Sequence, residues 1–246
     1  AVGIFKDSSS ANSIHHALVS GGGIHHTKAV TLKSDGTKGT STTDHYGNTI
    51  YWCGSNSTVT FANSSSFDYG NTSFFQSANN TMYTGGDAGF DLSGQFHISM
   101  WVYLANDDAS AGSSMGLWCI RGDGYEGPLS AVTHSSGTYQ VTFTADDGGS
   151  GPWHTNVGTG FGSVKPDNWN FFEWYRGSDN MLTIAINGIA YYKASNSQNF
   201  YYNTSYAMRI GRSAVTDSEN QSMTGYIDEF RYVTGESTPS RFYLGG

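Results

Sequence analysis

Side chains able to do chemistry are few in this sequence and widely scattered. A retaining glycosidase needs two carboxylates about 5–5.5 Å apart, which residues two or four apart on one strand face can supply. Asp228 and Glu229 are instead adjacent, and Glu173 stands alone in its segment. In an extended segment Tyr226, Asp228 and Phe230 would share one face, and Ile227, Glu229 and Arg231 the other. Asp228 would then need backbone N–H groups, Arg209 or Arg212 as partners, because an unpaired buried carboxylate is costly. No His-Glu-x-x-His metal motif and no Gly-Lys-Ser/Thr phosphate loop occurs. The expectation is a protein that does not catalyse.

Binding chemistry is better represented. Sugars are held by aromatic rings stacked on their C–H faces, with amide or carboxylate groups for the hydroxyls. Tyr125, Trp153 and His154 fall in turn-rich segments and are the candidates for that role, packing at a rim being the alternative for Trp153. A hard cation such as Ca²⁺ wants several oxygens from carboxylates and loop carbonyls. Asp123 with Glu126 and the pair Asp146-Asp147 are the candidate acidic loops, alongside Asp107-Asp108. None has ordered ligand spacing, so solvated turn residues are the competing reading. His15-His16 and His25-His26 flank one turn but lack an evident third ligand. Arg121-Gly122-Asp123 reads as a strand end running into a glycine-rich turn. Cys53 and Cys119 lack zinc-site spacing and are expected to stay unbridged.

The elements that must position these residues follow from composition and period. The chain has 246 residues, a size that one large β sandwich fills. Charged residues are only 13%, about half the usual share, while glycine is abundant (32) and proline scarce (4). The surface is therefore covered by Ser, Thr, Asn, Gly and Tyr, a cover that suits short strands and many turns. The net charge of −8 offers nothing to a phosphate backbone, which disfavours nucleic acid as a partner. No run of about 18 apolar residues exists, so membrane insertion is not expected.

Period-2 alternation is clearest in Phe96 to Leu104, where Phe96, Ile98, Met100, Val102 and Leu104 should face a core. Similar patterns recur at 115–121, 139–144, 169–176, 181–186, 207–210 and 226–232. Asn187-Gly188 between two apolar runs predicts a two-residue hairpin, because both central positions of that turn need positive φ. A looser hairpin is expected around Ser20-Gly21-Gly22-Gly23. Between residues 33 and 68 the chain is rich in Ser, Thr and Asn, yet Ile50-Tyr51-Trp52 and Val59-Thr60-Phe61 give it strands. The prediction is an all-β, antiparallel two-sheet jelly-roll sandwich.

The order of four C-terminal motifs carries a resemblance. Trp169-Asn170-Phe171-Phe172-Glu173-Trp174-Tyr175-Arg176 is followed by Met181 to Asn187-Gly188, then Met208-Arg209-Ile210-Gly211-Arg212, then Gly225-Tyr226-Ile227-Asp228-Glu229-Phe230-Arg231. This series resembles the concanavalin A-like, laminin-G-like jelly-roll family. Phe90-Asp91-Leu92-Ser93-Gly94 leading into Phe96 is similar to that family's central strand and the turn before it. Phe5-Lys6-Asp7-Ser8-Ser9, with His25-His26 further on, resembles the opening of such domains in bacteriophage tail and virion proteins. The likeness covers one domain over residues 1–246, with about 33–68 matching poorly as an elaboration.

Several members of the family cleave polysaccharides, but their Glu-x-Asp-x-x-Glu arrangement is missing here. Many relatives bind Ca²⁺ in a rim loop, which is what brings the acidic loops above into consideration. The resemblance implies a non-enzymatic virion structural or appendage protein, a capsid-decorating or tail-fibre module with an adhesive or glycan-binding role. Its expected partners are other virion proteins or host-surface glycans, on a virion surface or outside a cell. The alternative it implies is a secreted or cell-surface carbohydrate-binding lectin module.

Overall fold

A computed structural model describes residues 28–31, 41–43, 49–53, 60–62, 73–76, 81–84, 90–104, 115–121, 127–146, 155–201, 203–206, 208–212, 223 and 225–235. Side chains are described from residue 90 onward, except those of 228 and 229. Two antiparallel sheets face each other. The first runs in the order β14 (Ile189–Ser195), β13 (Met181–Ile186), β12 (Trp169–Arg176), β7 (Phe96–Leu104), β16 (Gly225–Thr234), β5 (Ser73–Gln76), β4 (Thr60–Ala62), with β1 (Lys28–Thr31) also paired to β16. The second runs β11 (Thr155–Gly158), β10 (Thr138–Ala145), β9 (Leu129–Ser135), β8 (Met115–Ile120), β15 (Met208–Ile210), β6 (Thr81–Thr84), β3 (Thr49–Cys53), β2 (Ser41–Thr43). Among the described residues no helix is long and apolar enough to cross a membrane.

The core lies between the sheets and follows the alternation. Phe96, Ile98, Met100, Val102 and Leu104 of β7 are all buried, as are Ile184 and Ile186 of β13 and Ile227 and Phe230 of β16. From the second sheet Trp118 meets Trp174 of the first edge-to-face, ring centroids 5.7 Å apart and planes at 84°. Neither indole N–H has a hydrogen-bond acceptor among the described residues, and an unmet buried donor costs about 1–3 kcal/mol. The Asn187-Gly188 turn has φ of 52° and 79°, as its sequence predicts. Asn187 also ties the hairpin to β12, its N–H donating to the Phe171 carbonyl (2.8 Å) and its Oδ1 accepting from the Phe171 N–H (2.8 Å).

Simple alternation fails in β16. The expected face shared by Tyr226, Asp228 and Phe230 is not formed, because the register against β7 shifts between Asp228 and Arg231. Asp228 pairs with Trp101 and Arg231 with Ser99, so three steps on β16 span two on β7. The extra residue of this bulge turns the later side chains over. Ile227, Phe230 and Tyr232 therefore all point into the core, each 0% exposed, with Tyr226 and Arg231 on the outer side. The side chain of Asp228 lies outside the described residues, and Arg209, one partner proposed for it, donates to the Arg121 carbonyl at 3.2 Å from the second sheet.

Arg176 closes one end of the sandwich. It is 1% exposed and donates to the carbonyls of Leu92, Gly94, Asn196 and Gln198, with its guanidinium 4.7 Å from the Phe200 ring centroid. Burial holds its pKa below the ordinary arginine value, and the charge of Asp91 acts in the opposite sense. Cys53 and Cys119 sit on β3 and β8 with β6 and β15 between them. Three strand spacings, about 14 Å, are too wide for a disulfide between them.

Candidate functional site

Two loops carry the residues that sequence chemistry favours. Tyr125, Asp123 and Glu126 fall in the β8–β9 connection, and Trp153, His154 and Asp147 in the β10–β11 connection, all outside the described residues. The strand ends that anchor them are described. β8 and β10 run opposite to β9, so both connections leave from one rim. Gln198 ties that rim to the Arg176 end of the first sheet, accepting from Thr155 Oγ1 at 2.8 Å and, through its carbonyl, from Arg176 at 2.8 Å. Of the candidate acidic groups Asp146 alone is described, and it is 5% exposed. Arg121, the first residue of the Arg-Gly-Asp triplet, is 4% exposed at the end of β8, in keeping with its reading as a strand end. Among the described residues no three His, Cys, Asp or Glu side chains gather as a metal site.

A different constellation lies on the outer face of the first sheet, toward the opposite end. Because Phe96 to Leu104 and Phe172 to Arg176 send alternate residues inward, their neighbours point outward. Those neighbours are aromatic. Trp101 and Tyr103 of β7, Trp169 and Phe171 of β12, and Tyr226 of β16 are all half-buried. Strand pairing brings them together: Phe171 opposes Trp101, Trp169 opposes Tyr103, and Tyr103 opposes Tyr226. Tyr103, Trp169 and Tyr226 form a triangle of rings with centroid separations of 5.8, 5.8 and 6.3 Å. Trp101 and Phe171 pair at 5.0 Å, one step further along the same strands.

Gly225 allows this convergence. A Cβ there would lie 1.9 Å from the Tyr103 carbonyl oxygen, and its φ of 142° disfavours any other residue. Glycine therefore lets β16 begin directly against β7, which sets Tyr226 beside Tyr103. Phe75 of β5 holds the register position opposite Tyr226.

Beyond the aromatic patch the same face becomes polar and closed. His97 Nε2 donates to Glu173 Oε1 at 3.3 Å, and Arg231 Nη1 donates to His97 Nδ1 at 3.1 Å. A guanidinium has donors only, so Nδ1 must be the accepting nitrogen and Nε2 the one that bears hydrogen. All three residues are nearly buried, at 5% for His97, 7% for Glu173 and 6% for Arg231. Glu173 thus acquires a structural partner. Its described neighbours on the face, Ser99, Ala185, Phe171 and Tyr175, include no second carboxylate.

Period-2 alternation marks the inward positions of β7 and assigns no role to the outward ones. Their signal was the repeated use of Trp and Tyr where a solvated strand face would carry Ser or Thr, but the pairing that unites three strands was not visible.

Residues 75–241 match the family described as the Concanavalin A-like lectin/glucanases superfamily. No curated protein matches the chain in sequence. Among solved structures, domain 4 of AbnA, a GH43 extracellular arabinanase from Geobacillus stearothermophilus, in complex with arabinotriose, is 15% identical at a TM-score of 0.57, covering 80% of this chain and 89% of that one. The botulinum neurotoxin serotype D ligand binding domain, in complex with N-acetylneuraminic acid, is 10% identical at 0.56, covering 86% and 48%. The binding domain of Paraclostridial Mosquitocidal Protein 1 is 13% identical at 0.57, covering 86% and 49%. The chain spans about half the length of these two binding domains. At such identities the likeness is one of fold.

Proposed function

The chain belongs to the Concanavalin A-like lectin/glucanases superfamily, and from that premise we propose that it is a glycan-binding module which holds sugar on the outer aromatic face of its first sheet. The observation that carries this reading is the cluster of Trp101, Tyr103, Trp169, Phe171 and Tyr226, half-buried and packed ring against ring on a sheet surface that needs no such rings for its core. Rings fixed by their neighbours lose little freedom when a sugar stacks on them. The phenol hydroxyl of Tyr103 can donate to and accept from sugar hydroxyls. The arabinotriose bound by the arabinanase domain and the N-acetylneuraminic acid bound by the toxin domain lend support.

The module binds and does not cleave. Glu173 is engaged by His97 in a nearly buried position, which suits a structural carboxylate better than an acid facing substrate. Its setting is a virion surface or an appendage such as a tail fibre, where an adhesive domain meets host glycans. The likeness of its opening residues to phage tail and virion proteins and its low charge favour that setting over a secreted lectin. Capsid or tail genes adjoining its own would support it, and a secretion operon would overturn it.

A glycan array probed with the full chain, with and without Ca²⁺, tests the binding reading. At least one glycan class should be retained by the parent and lost by Trp169→Ala under conditions where both are folded. Uniform absence of binding in both conditions would reject it.

A further inference from the structure

The aromatic face has a size, a shape and a charge, and together these narrow its ligand. Resting on the reading above, we propose that the site takes a short, uncharged stretch of glycan, about two or three sugar units laid along the strands, and neither an acidic sugar nor a crystalline polysaccharide surface.

Size comes from the spacing of the rings. The Tyr103, Trp169 and Tyr226 triangle, with sides of 5.8 to 6.3 Å, is about as broad as one sugar ring. Trp101 and Phe171 lie two residues further along β7 and β12, a rise of about 7 Å, and offer a second stacking spot. One more step reaches Ser99 and Glu173, which are 5% and 7% exposed, so the track closes there. Two spots and one unit beyond them set the length.

Shape comes from the tilt of the rings. Their planes meet at 62°, 71°, 46° and 42°, so they form no common plane on which a crystal face could lie. A single flexible chain can turn successive sugars to meet them.

Charge excludes acidic sugars. A carboxylate or sulfate leaving water needs a cation poised to receive it. Arg231 is the cation that β7, β12 and β16 contribute to the described outer face, and it is 6% exposed and committed to His97, while the exposed Lys193 of β14 stands opposite Thr183, two strands beyond β12 and in line with Tyr175, away from the rings. Lys165, in the exposed loop before β12, is a solvated point charge of little worth to binding. The chain as a whole carries a net charge of −8.

Isothermal titration of the full chain decides the matter, using arabino-, xylo- and gluco-oligosaccharides of increasing length, sialyllactose and oligogalacturonate, together with a pull-down on microcrystalline cellulose. One neutral series should gain affinity up to about three units and gain less than about twofold beyond. Its Kd should change less than about twofold between about 50 and 500 mM NaCl, and the acidic sugars should bind at least about tenfold more weakly. Continued gain with length, preference for an acidic sugar, or retention on cellulose alone would each overturn the proposal. If an acidic sugar binds and Trp101→Ala or Trp169→Ala abolishes it, the site stands and only this ligand assignment falls. Neutral binding that both variants leave unchanged would reject the site itself, and with it this inference.

Discussion

The outer faces of the two sheets solve the same problem with different side chains. On the first sheet β7, β12 and β16 set Trp101, Tyr103, Trp169, Phe171 and Tyr226 outward. On the second, β8, β9 and β10 set Cys119, Leu129, Ala131, Thr133, Gln140, Thr142 and Thr144 outward, with no aromatic among the described outward residues of these three strands, while Tyr83 of β6 and Tyr51 of β3 hold register positions in line with Arg209 further across the sheet. Both sheets are eight-stranded and antiparallel, and both cover one core. These three strands of the second show that hydroxyl and small side chains suffice there. Thr142 Oγ1, for example, donates to the Ala131 carbonyl at 3.2 Å, which satisfies the strand locally. Five large rings on the first face therefore exceed what holding a sheet together requires, and their excess is what the ligand reading explains.

The comparison can be broken or sharpened by substitution, and the core gives the largest effect because both faces stand on it. Phe230→Ala should cost about 3–5 kcal/mol, since the side chain is 0% exposed in the shared core. A urea midpoint equal to the parent's would contradict the packing, and with it the inside-outside assignment of β16.

Gly225→Ala comes next. Its Cβ meets the Tyr103 carbonyl oxygen, a backbone atom that cannot turn aside, so about 1–3 kcal/mol is expected in thermal unfolding. Glycan affinity should fall as well, because Tyr226 is displaced from Tyr103. A substitution that lowers stability and leaves affinity intact would separate the aromatic triangle from the ligand.

The polar tie beside the patch should respond to charge less than to hydrogen bonding. Glu173→Gln keeps an acceptor for His97 Nε2 and should lose no more than about 1 kcal/mol, whereas Glu173→Ala strands a buried donor and should lose about 1–3 kcal/mol. Equal losses in the two variants would mean that the carboxylate's charge, and not its acceptor, holds the site.

How much of this was legible beforehand depended on how local the signal was. The core positions of β7 and β13 and the Asn187-Gly188 turn follow from period and turn chemistry within a few residues. The strand β9, Leu129–Ser135, escaped notice because both of its faces begin buried, which erases alternation. The bulge in β16 is invisible to a rule of two, since only pairing with β7 defines the extra residue. The site is harder still. Glu173 and Arg231 lie 76 and 134 positions from His97, and the aromatic patch draws on three strands that are not consecutive in the chain. Loop aromatics such as Tyr125 and Trp153 attracted attention because loops usually carry function, while rings on strands are usually core.

The most direct test of the account compares one substitution on each face under identical conditions. Trp169→Ala removes a ring from the first face, and Thr142→Ala removes a hydroxyl from the second. For whichever neutral oligosaccharide the parent binds, titration should show Trp169→Ala weakening affinity about tenfold or more and Thr142→Ala changing it less than about twofold, with Thr142→Ala losing about 0.5–1.5 kcal/mol of stability for its hydrogen bond to Ala131. Equal affinity in the two variants, or a larger loss from the second face, would contradict the claim that the aromatic face is the binding surface.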